Sequence, residues 1–288
     1  MGSIWELDFY SRPIVDEQGK KVWEILVCES PLDTRRKVDS LFHYSQYCPS
    51  SQVNSVWLGT ALMEAISQAK EAPIRIRFFR RQMSNMIIKA GKDLGIPVQP
   101  SRRTLVLNQW LQQRMESVYP HEPGYQEVVT NPSVRVENPV PQRLPDALAG
   151  QEWGFVTLNA VEFTEMHEWE IGFGEAFPLE MAQVSPETPI PGIVIFSPRA
   201  LPLAAWLSGL ELAWVRFDST EGAKLLLESG AIESWILANI ANPQILTEAE
   251  KFEKAKQKAH GVHFIAVQSD PQAESFAGFW LLQEVNLA

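Results

Sequence analysis

The chain has 288 residues, is 45% hydrophobic and 10% aromatic, and carries a formal net charge of −10. That apolar content is enough for two cores of ordinary size and excludes global disorder. Two cysteines, Cys28 and Cys48, with no CxxC pair and no histidine at ligand spacing, argue against a disulfide scaffold or a zinc site.

The charge is unevenly spread. Residues 1–120 hold 16 basic and 12 acidic side chains, a balance of +4, while residues 121–288 hold 9 and 23, a balance of −14. An acidic second half repels phosphate, so a polyanion contact is expected to be local to the first half and strongly salt dependent.

In chain order, residues 4–10 and 21–28 predict a hairpin around the turn Asp16-Glu17-Gln18-Gly19. A third strand is expected over 41–48. Ser50 or Ser51 then caps a helix with Leu58, Leu62, Ala65, Ile66 and Ala69 on one stripe, ended by Pro73. Residues 74–79 read as a strand with Ile74, Ile76 and Phe78 on one face and Arg75 and Arg77 on the other. A helix follows with Met83, Met86, Ile87, Ala90 and Leu94 inward and Lys89 and Lys92 outward, stopping near Gly95 and Pro97. Residues 104–110 suit a further strand or the start of a long terminal element.

Residues 119–150 contain six prolines and no helical period, which predicts an extended connector, with valines at 128, 129, 134, 136 and 140 strapping it to a surface. The expected domains are a basic α/β domain over 1–118, this connector, and an acidic α/β domain over 151–288. In the second half, strands are expected over 154–160, 170–177 and 193–196, a helix over 202–210, a strand over 212–217 and a helix after Ser219 or Thr220. A final helix starts from the capping box of Thr247 and Glu250, and strands over 262–268 and 276–282 close the chain.

The fold class is therefore α/β, with two tandem mixed-sheet domains. Each half runs β-β-β-α-β-α-β, the order of ribonuclease H-like domains, which is a likeness of fold and carries no function. A slide of 139 residues places Arg77-Phe78 on Arg216-Phe217, Ile87-Ile88 on Leu226-Leu227 and Gly91 on Gly230. Duplication of one ribonuclease H-like unit and a shared βα architecture both account for that match.

The most informative local feature lies between Arg75 and Arg114, where nine basic residues meet one acid, Asp93. Such a surplus reads as a surface for a polyanion, RNA or DNA first. Phosphates are expected to meet Arg75, Arg77, Arg80, Arg81, Lys89, Lys92, Arg102 and Arg103, with the Ser101 hydroxyl beside the guanidinium forks and Arg80 and Arg81 near a helix N-terminus. Phe79 and Trp110 offer stacking faces for unpaired bases. The plainer alternative is a solvated helix face with ordinary salt bridges. If the patch is open, Arg102→Glu with Arg103→Glu weakens RNA binding and leaves the fold intact.

Nuclease chemistry of the ribonuclease H type needs converging carboxylates around metal ions. The first half offers Asp8 and Glu64, but its fourth strand ends in Phe79-Arg80-Arg81; the second half offers Asp218, but its first strand has no acid. Asp8 also suits a plain role, paired with a nearby arginine. No nucleotide, hydrolase or metalloprotease motif occurs and the five histidines are scattered, so no catalytic residue, metal ligand or cofactor is expected. A divergent metal-dependent nuclease and a protein-interaction scaffold remain the alternatives to a non-catalytic RNA binder.

Several motifs together resemble one family. Trp5-Glu6-Leu7-Asp8-Phe9, Phe78-Phe79-Arg80-Arg81-Gln82-Met83 with Met86-Ile87, Pro100-Ser101-Arg102-Arg103-Thr104 with Trp110-Leu111, Val118-Tyr119-Pro120 and Trp280-Leu281-Leu282-Gln283 resemble the Tab-type translation factors of chloroplasts and cyanobacteria, over essentially the whole chain. The resemblance implies an A/U-rich, single-stranded RNA-binding protein acting on 5′ leaders of photosystem I reaction-centre messages, for translation or photosystem assembly. It also implies that Trp280-Leu281-Leu282-Gln283 is needed for activity, although by its own alternation that segment reads as a core strand. The acidic half is expected to face a ribosomal or photosystem-assembly protein.

The first eight residues lack the charged and apolar regions of a secretory signal and the Arg/Ser-rich pattern of a transit peptide, and Glu6 fails the myristoylation pattern. The apolar stretch 192–215 is interrupted by Pro198, Arg199, Pro202 and Glu211, so no membrane span is expected. These features suggest a cytoplasmic protein of a cyanobacterium, with the thylakoid surface as a place of association.

Overall fold

The computed structural model describes residues 2–127, 140–148, 150 and 152–285. They divide into two units, residues 2–30 with 40–127, and residues 31–39 with 140–285. Both are mixed α/β, as the sequence pattern predicts.

The first unit is one five-stranded sheet with helices. Its elements are β1 (Ser3–Val15), β2 (Lys21–Glu29), β3 (His43–Cys48), α1 (Ser55–Gln68), β4 (Pro73–Phe78), α2 (Ser84–Asp93), β5 (Val98–Pro100) and α3 (Leu105–Ser117). The strand order is β3-β2-β1-β4-β5; β3, β2 and β1 pair antiparallel with one another, while β4 pairs in parallel with both β1 and β5. Along β1, Trp5, Leu7 and Phe9 point to one face and pack with Ile25, Val27, Ile76 and Phe78 beneath Leu58 and Leu62 of α1 and Ile87 of α2. The alternate residues Glu6 and Asp8 point to the other face, where α3 lies.

Local chemistry moves two expected boundaries here. Asn54, not Ser50 or Ser51, caps α1: its side-chain oxygen accepts the N–H groups of Val56 (3.0 Å) and Trp57 (2.9 Å), while Ser50–Gln52 forms a separate 3-10 turn. Residues 104–110 enter a helix, with Leu105, Val106, Leu107 and Leu111 buried. The β1–β2 turn closes as expected, with Asp16 Oδ1 accepting the N–H groups of Gln18 and Lys20, both at 2.9 Å, and Gly19 at φ 75°.

Beyond α3 the chain returns to β1. Val15 N–H donates to Gly124 O and Gln126 N–H to Pro13 O, both at 2.9 Å. Gly124 adopts φ 81°, and a Cβ there would lie 2.1 Å from Val15 O, so only glycine fits this close approach. Of the valines expected to strap the connector down, 128, 129, 134 and 136 lie outside the described residues, and Val140 is 86% exposed. Val140 therefore does not hold the segment to a surface.

The second unit has two sheets. Its elements are β6 (Gln142–Arg143), β7 (Glu152–Asn159), β8 (Ile171–Glu175), β9 (Pro189–Phe196), α4 (Ala200–Gly209), β10 (Leu212–Asp218), β11 (Lys224–Ser229), β12 (Glu233–Asn239), α5 (Pro243–Lys258), β13 (Val262–Gln268) and β14 (Phe276–Gln283). One sheet runs β10-β11-β12-β6 and the other β7-β9-β13-β14-β8. Ile193, Leu207, Val215, Leu227, Ile265 and Trp280 share a core cluster drawn from both sheets and α4.

Three expectations for this half are corrected. The helix expected after Ser219 or Thr220 is the hairpin β11–β12; Leu225, Leu226 and Leu227 are all fully buried, so this run fills both faces of an interior strand rather than one stripe of a helix. The 139-residue slide consequently lays helical Ile87-Ile88 on strand residues Leu226-Leu227, and helical Gly91 on Gly230 in a turn at φ 54°. The two halves do not repeat one strand-and-helix order. Finally, α5 begins at Asn242, whose side chain accepts Gln244 N–H at 2.8 Å with Pro243 in the first turn; the Thr247 hydroxyl instead donates to Pro243 O at 3.1 Å.

Among the described residues, no helix is long and apolar enough to cross a membrane.

Candidate nucleic-acid interface

The basic cluster divides into a buried part and an open part. The buried part arises because β1 and β2 place three carboxylates on the α3 side of the sheet: Glu6, Asp8 and Glu24, none more than 1% exposed. Asp8 accepts from Arg80 Nε at 2.6 Å and from Arg12 Nη1 at 2.9 Å. Glu24 accepts from Arg12 Nε at 2.9 Å, from the Tyr119 hydroxyl at 2.5 Å and from Arg114 Nη2. Glu6 accepts from the Ser30 hydroxyl and from Leu107 N–H, both at 2.8 Å. Arg77, the register partner of Glu6 on β4, is 1% exposed and lies 3.4 Å from Ser30 Oγ.

The electrostatics follow from this pairing. Burial pushes the Asp8 carboxyl up, but the guanidinium groups of Arg80 and Arg12 outweigh it and hold the group below 3.8, as an ion. Burial tends to lower the Arg12 guanidinium, and Asp8, Tyr119 and Glu24 together raise it. Burial, aided by Glu24, keeps the Tyr119 phenol protonated. Burial also pushes the Cys28 thiol well above its usual range, with Glu6 adding to the effect, so this cysteine is inert.

The expectation of an open patch is therefore corrected for part of the cluster. Arg77, Arg80 and Arg103 are no more than 5% exposed, Ser101 is fully buried with its Oγ accepting Arg103 N–H at 3.0 Å, and Phe79 lies beneath the Arg80 guanidinium. A desolvated guanidinium calls for a carboxylate, and for Arg80 the hairpin strand β1 supplies it through Asp8. The stretch 75–114 holds one acid, yet Asp8 reaches Arg80 and Glu24 reaches Arg114 from outside it. The N-terminus of α3 is likewise closed to phosphate, because the Glu6 carboxylate already sits on its third N–H.

What stays open is grouped by topology. The parallel strands β4 and β5 end side by side, Phe78 beside Pro100, with Ser101 N–H donating to Phe78 O at 2.8 Å. The loops after them hence carry exposed Arg81 and half-buried Arg102 to the same edge of the sheet, where ligands of open α/β sheets collect. On α2, Lys89 and Lys92 are exposed, and Lys89 pairs with Asp93 at 2.9 Å. Arg75 is half-buried on β4. Trp110 is half-buried on α3, with the His43 ring 4.8 Å away at 80° and the Arg114 guanidinium 5.6 Å from its centroid.

The carboxylates considered for nuclease chemistry have other partners. Both oxygens of Asp8 are held by arginines, and Asp218 bonds Arg216 at 3.1 Å and the N–H and hydroxyl of Thr220 at 2.9 and 2.7 Å. Among the described residues, no group of three or more His, Cys, Asp or Glu side chains is placed to hold a metal ion.

Two family models match the chain: the N-terminal part of the RNA-binding protein Tab2/Atab2 over residues 4–114, and its C-terminal domain over residues 131–283. The chain belongs to the Tab2/Atab2 family. It is 40% identical over 289 residues to the chloroplastic Protein TAB2 homolog of Zea mays, covering 98% of this chain and 71% of the maize protein. To the chloroplastic Protein TAB2 homolog of Arabidopsis thaliana it is 39% identical over 287 residues, covering 96% of this chain and 74% of that protein. No solved structure matches the chain significantly. These relatives overturn the expected placement in a cyanobacterial cytosol, since both are chloroplastic proteins of plants.

The Tab2/Atab2 motifs now acquire positions. Trp5-Glu6-Leu7-Asp8-Phe9 alternates core and charge network along β1, Arg80 and Tyr119 belong to that same network, and Trp280-Leu281-Leu282-Gln283 lies in β14, between β13 and β8. Sequence reasoning missed Glu24 as an internal counter-ion and Glu6 as a buried acceptor, and missed His43 beside Trp110 and Tyr47 on the same strand. Alternation of Glu6 and Asp8 with Trp5, Leu7 and Phe9 was the available signal for the first two.

Proposed function

We propose that the chain binds A/U-rich, single-stranded RNA in the 5′ leaders of photosystem reaction-centre messages inside the plastid, and promotes their translation or the assembly of the photosystem. The observation that carries this reading is the match of both halves to the RNA-binding Tab2/Atab2 family. The chloroplastic relatives support the compartment. The geometry favours Arg81 and Arg102, joined by Lys89, Lys92 and Arg75, as the phosphate contacts, with Trp110 as a stacking face. Arg77, Arg80 and Arg103 then act from inside, holding the two loops in shape. The acidic second unit repels RNA and suits a protein partner of the ribosome or of photosystem assembly.

The test is a titration of labelled A/U-rich RNA against matched DNA and mixed-sequence RNA at several salt concentrations, with and without magnesium. Tighter binding to A/U-rich RNA that weakens steeply with salt is the expected result. Equal binding to all three ligands removes the sequence preference. Absence of binding at low salt removes the RNA reading, and cleavage confined to magnesium-containing samples replaces it with a nuclease.

A further inference from the structure

The surface beside Trp110 has a composition that phosphate binding does not explain. Strand β3 is the outermost strand of its sheet, and its residues His43, Ser45 and Tyr47 share one face and are all exposed, while Tyr44 and Cys48 are buried in the core. At about 3.3 Å per residue, His43 and Tyr47 stand roughly 13 Å apart along the strand, the length of two or three nucleotides. Trp110 reaches the same face from α3, at 4.8 Å from the His43 ring. Tyr47 is 37% exposed, and its hydroxyl donates to Glu122 at 3.1 Å, which fixes the ring. Three aromatic rings held at a surface by a strand and a helix, in a unit whose other aromatics mostly fill the core, are the arrangement that unpaired bases stack on.

His43 also has a defined polarity. Its Nδ1 lies 2.9 Å from Leu41 O, and a carbonyl oxygen only accepts, so Nδ1 carries the proton in the neutral ring and Nε2 is left as an acceptor. Adenine N6 and uracil N3 both present N–H donors on their pairing edges, which are open only in a single strand.

We propose that His43, Tyr47 and Trp110 form a nucleobase-stacking strip on β3 and α3, with His43 Nε2 accepting a hydrogen bond from the pairing edge of a docked base. The strip deepens the RNA-binding reading and rests on it, supplying a contact to bases distinct from the phosphate contacts at Arg81 and Arg102. Its energetic signature differs as well: loss of stacking lowers affinity at every salt concentration and leaves the salt slope unchanged, because no counterion is released at a ring.

The experiment measures binding of a fluorescent A/U-rich oligoribonucleotide by the full chain and by His43→Ala, Tyr47→Ala, Trp110→Ala and Trp110→Phe, with folding checked by circular dichroism. The expected result is a loss of about fivefold or more for each alanine variant, with an unaltered slope of log K against log salt and near-normal binding by Trp110→Phe. A second measurement, photocrosslinking of 4-thiouridine RNA to the unmodified chain, is expected to label peptides containing His43, Tyr47 or Trp110, and needs no variant to fold. Wild-type binding combined with full affinity in folded alanine variants, or crosslinks confined to other peptides, overturns the strip while leaving RNA binding in place. Failure of the wild-type chain to bind overturns both.

Discussion

Asp8 and Arg80 are 72 residues apart in the chain and 2.6 Å apart in space, Arg80 Nε donating to a carboxylate that is fully buried. Arg12 completes the pair from the same strand, at 2.9 Å. This contact converts a residue that looks like a phosphate ligand into part of the frame that holds the loop carrying Arg81.

Removing the shared anion takes a carboxylate from two buried guanidinium groups, Arg80 and Arg12, of which Arg12 keeps Glu24. Asp8→Ala is expected to destabilise the first unit by about 3–5 kcal/mol, the range for breaking a buried ion pair. Urea denaturation checks the value.

The same carboxylate sets an acid limit. Its folded-state pKa lies below 3.8, so its stabilisation is fully present above the unfolded value and is lost as pH falls through the lower folded value. The unfolding midpoint is expected to hold down to about pH 4 and to drop below it. In Asp8→Asn, which begins less stable, this site's share of the acid limb is expected to disappear; an acid limb of equal depth in both proteins would refute the assignment.

Arg102 and Arg103 are neighbours with opposite environments, the first half-buried and the second 4% exposed. Arg103→Glu buries an unpaired carboxylate and is expected to cost stability, contrary to the expectation that the double reversal spares the fold. Arg81→Ala with Arg102→Ala is instead expected to fold normally and to reduce the salt slope for single-stranded RNA by roughly 1.4, about 0.7 per lost phosphate contact. Circular dichroism and a salt series of binding isotherms separate these outcomes.

Glu6 serves α3 as a remote cap. In Glu6→Gln one of the two donors, the Ser30 hydroxyl or Leu107 N–H, meets an amide N–H₂ in place of an oxygen, at an expected cost of about 1–3 kcal/mol. Hydrogen exchange of the first-turn amides of α3 is expected to accelerate.

Trp280 is 4% exposed, and its strand is hydrogen-bonded on both sides. Trp280→Ala is expected to lower the stability of the second unit by about 3–5 kcal/mol. RNA affinity measured at a temperature where the variant remains folded is expected to stay within about twofold of wild type, since each 1.4 kcal/mol of lost contact would be tenfold. A larger loss would assign the Trp280-Leu281-Leu282 segment a direct contact rather than a role in the core.

Alternation and punctuation made much of the fold legible. Trp5, Leu7 and Phe9 against Glu6 and Asp8 announce a strand with one polar face, and the Asp16–Gly19 turn announces a hairpin, because both signals are written in adjacent residues. Leu225-Leu226-Leu227 did not disclose its state, since a short apolar run buried on all sides has no period to read. At the candidate interface, the composition of residues 75–114 identified a basic segment, and nothing local to it named the counter-ions.

By itself, then, the sequence determined an α/β chain, a basic first half, and the Tab2/Atab2 motifs. Only the tertiary structure decided which cations face solvent. Burial depends on position in space, and the parallel pairing of β1 with β4 brings Arg80 to the buried Asp8 while the turn after β4 places Arg81 at the solvent-exposed surface. The same pairing of β4 with β5 joins Arg81 to Arg102 at one edge, a neighbourhood set by hydrogen bonds between strands about twenty residues apart in the chain.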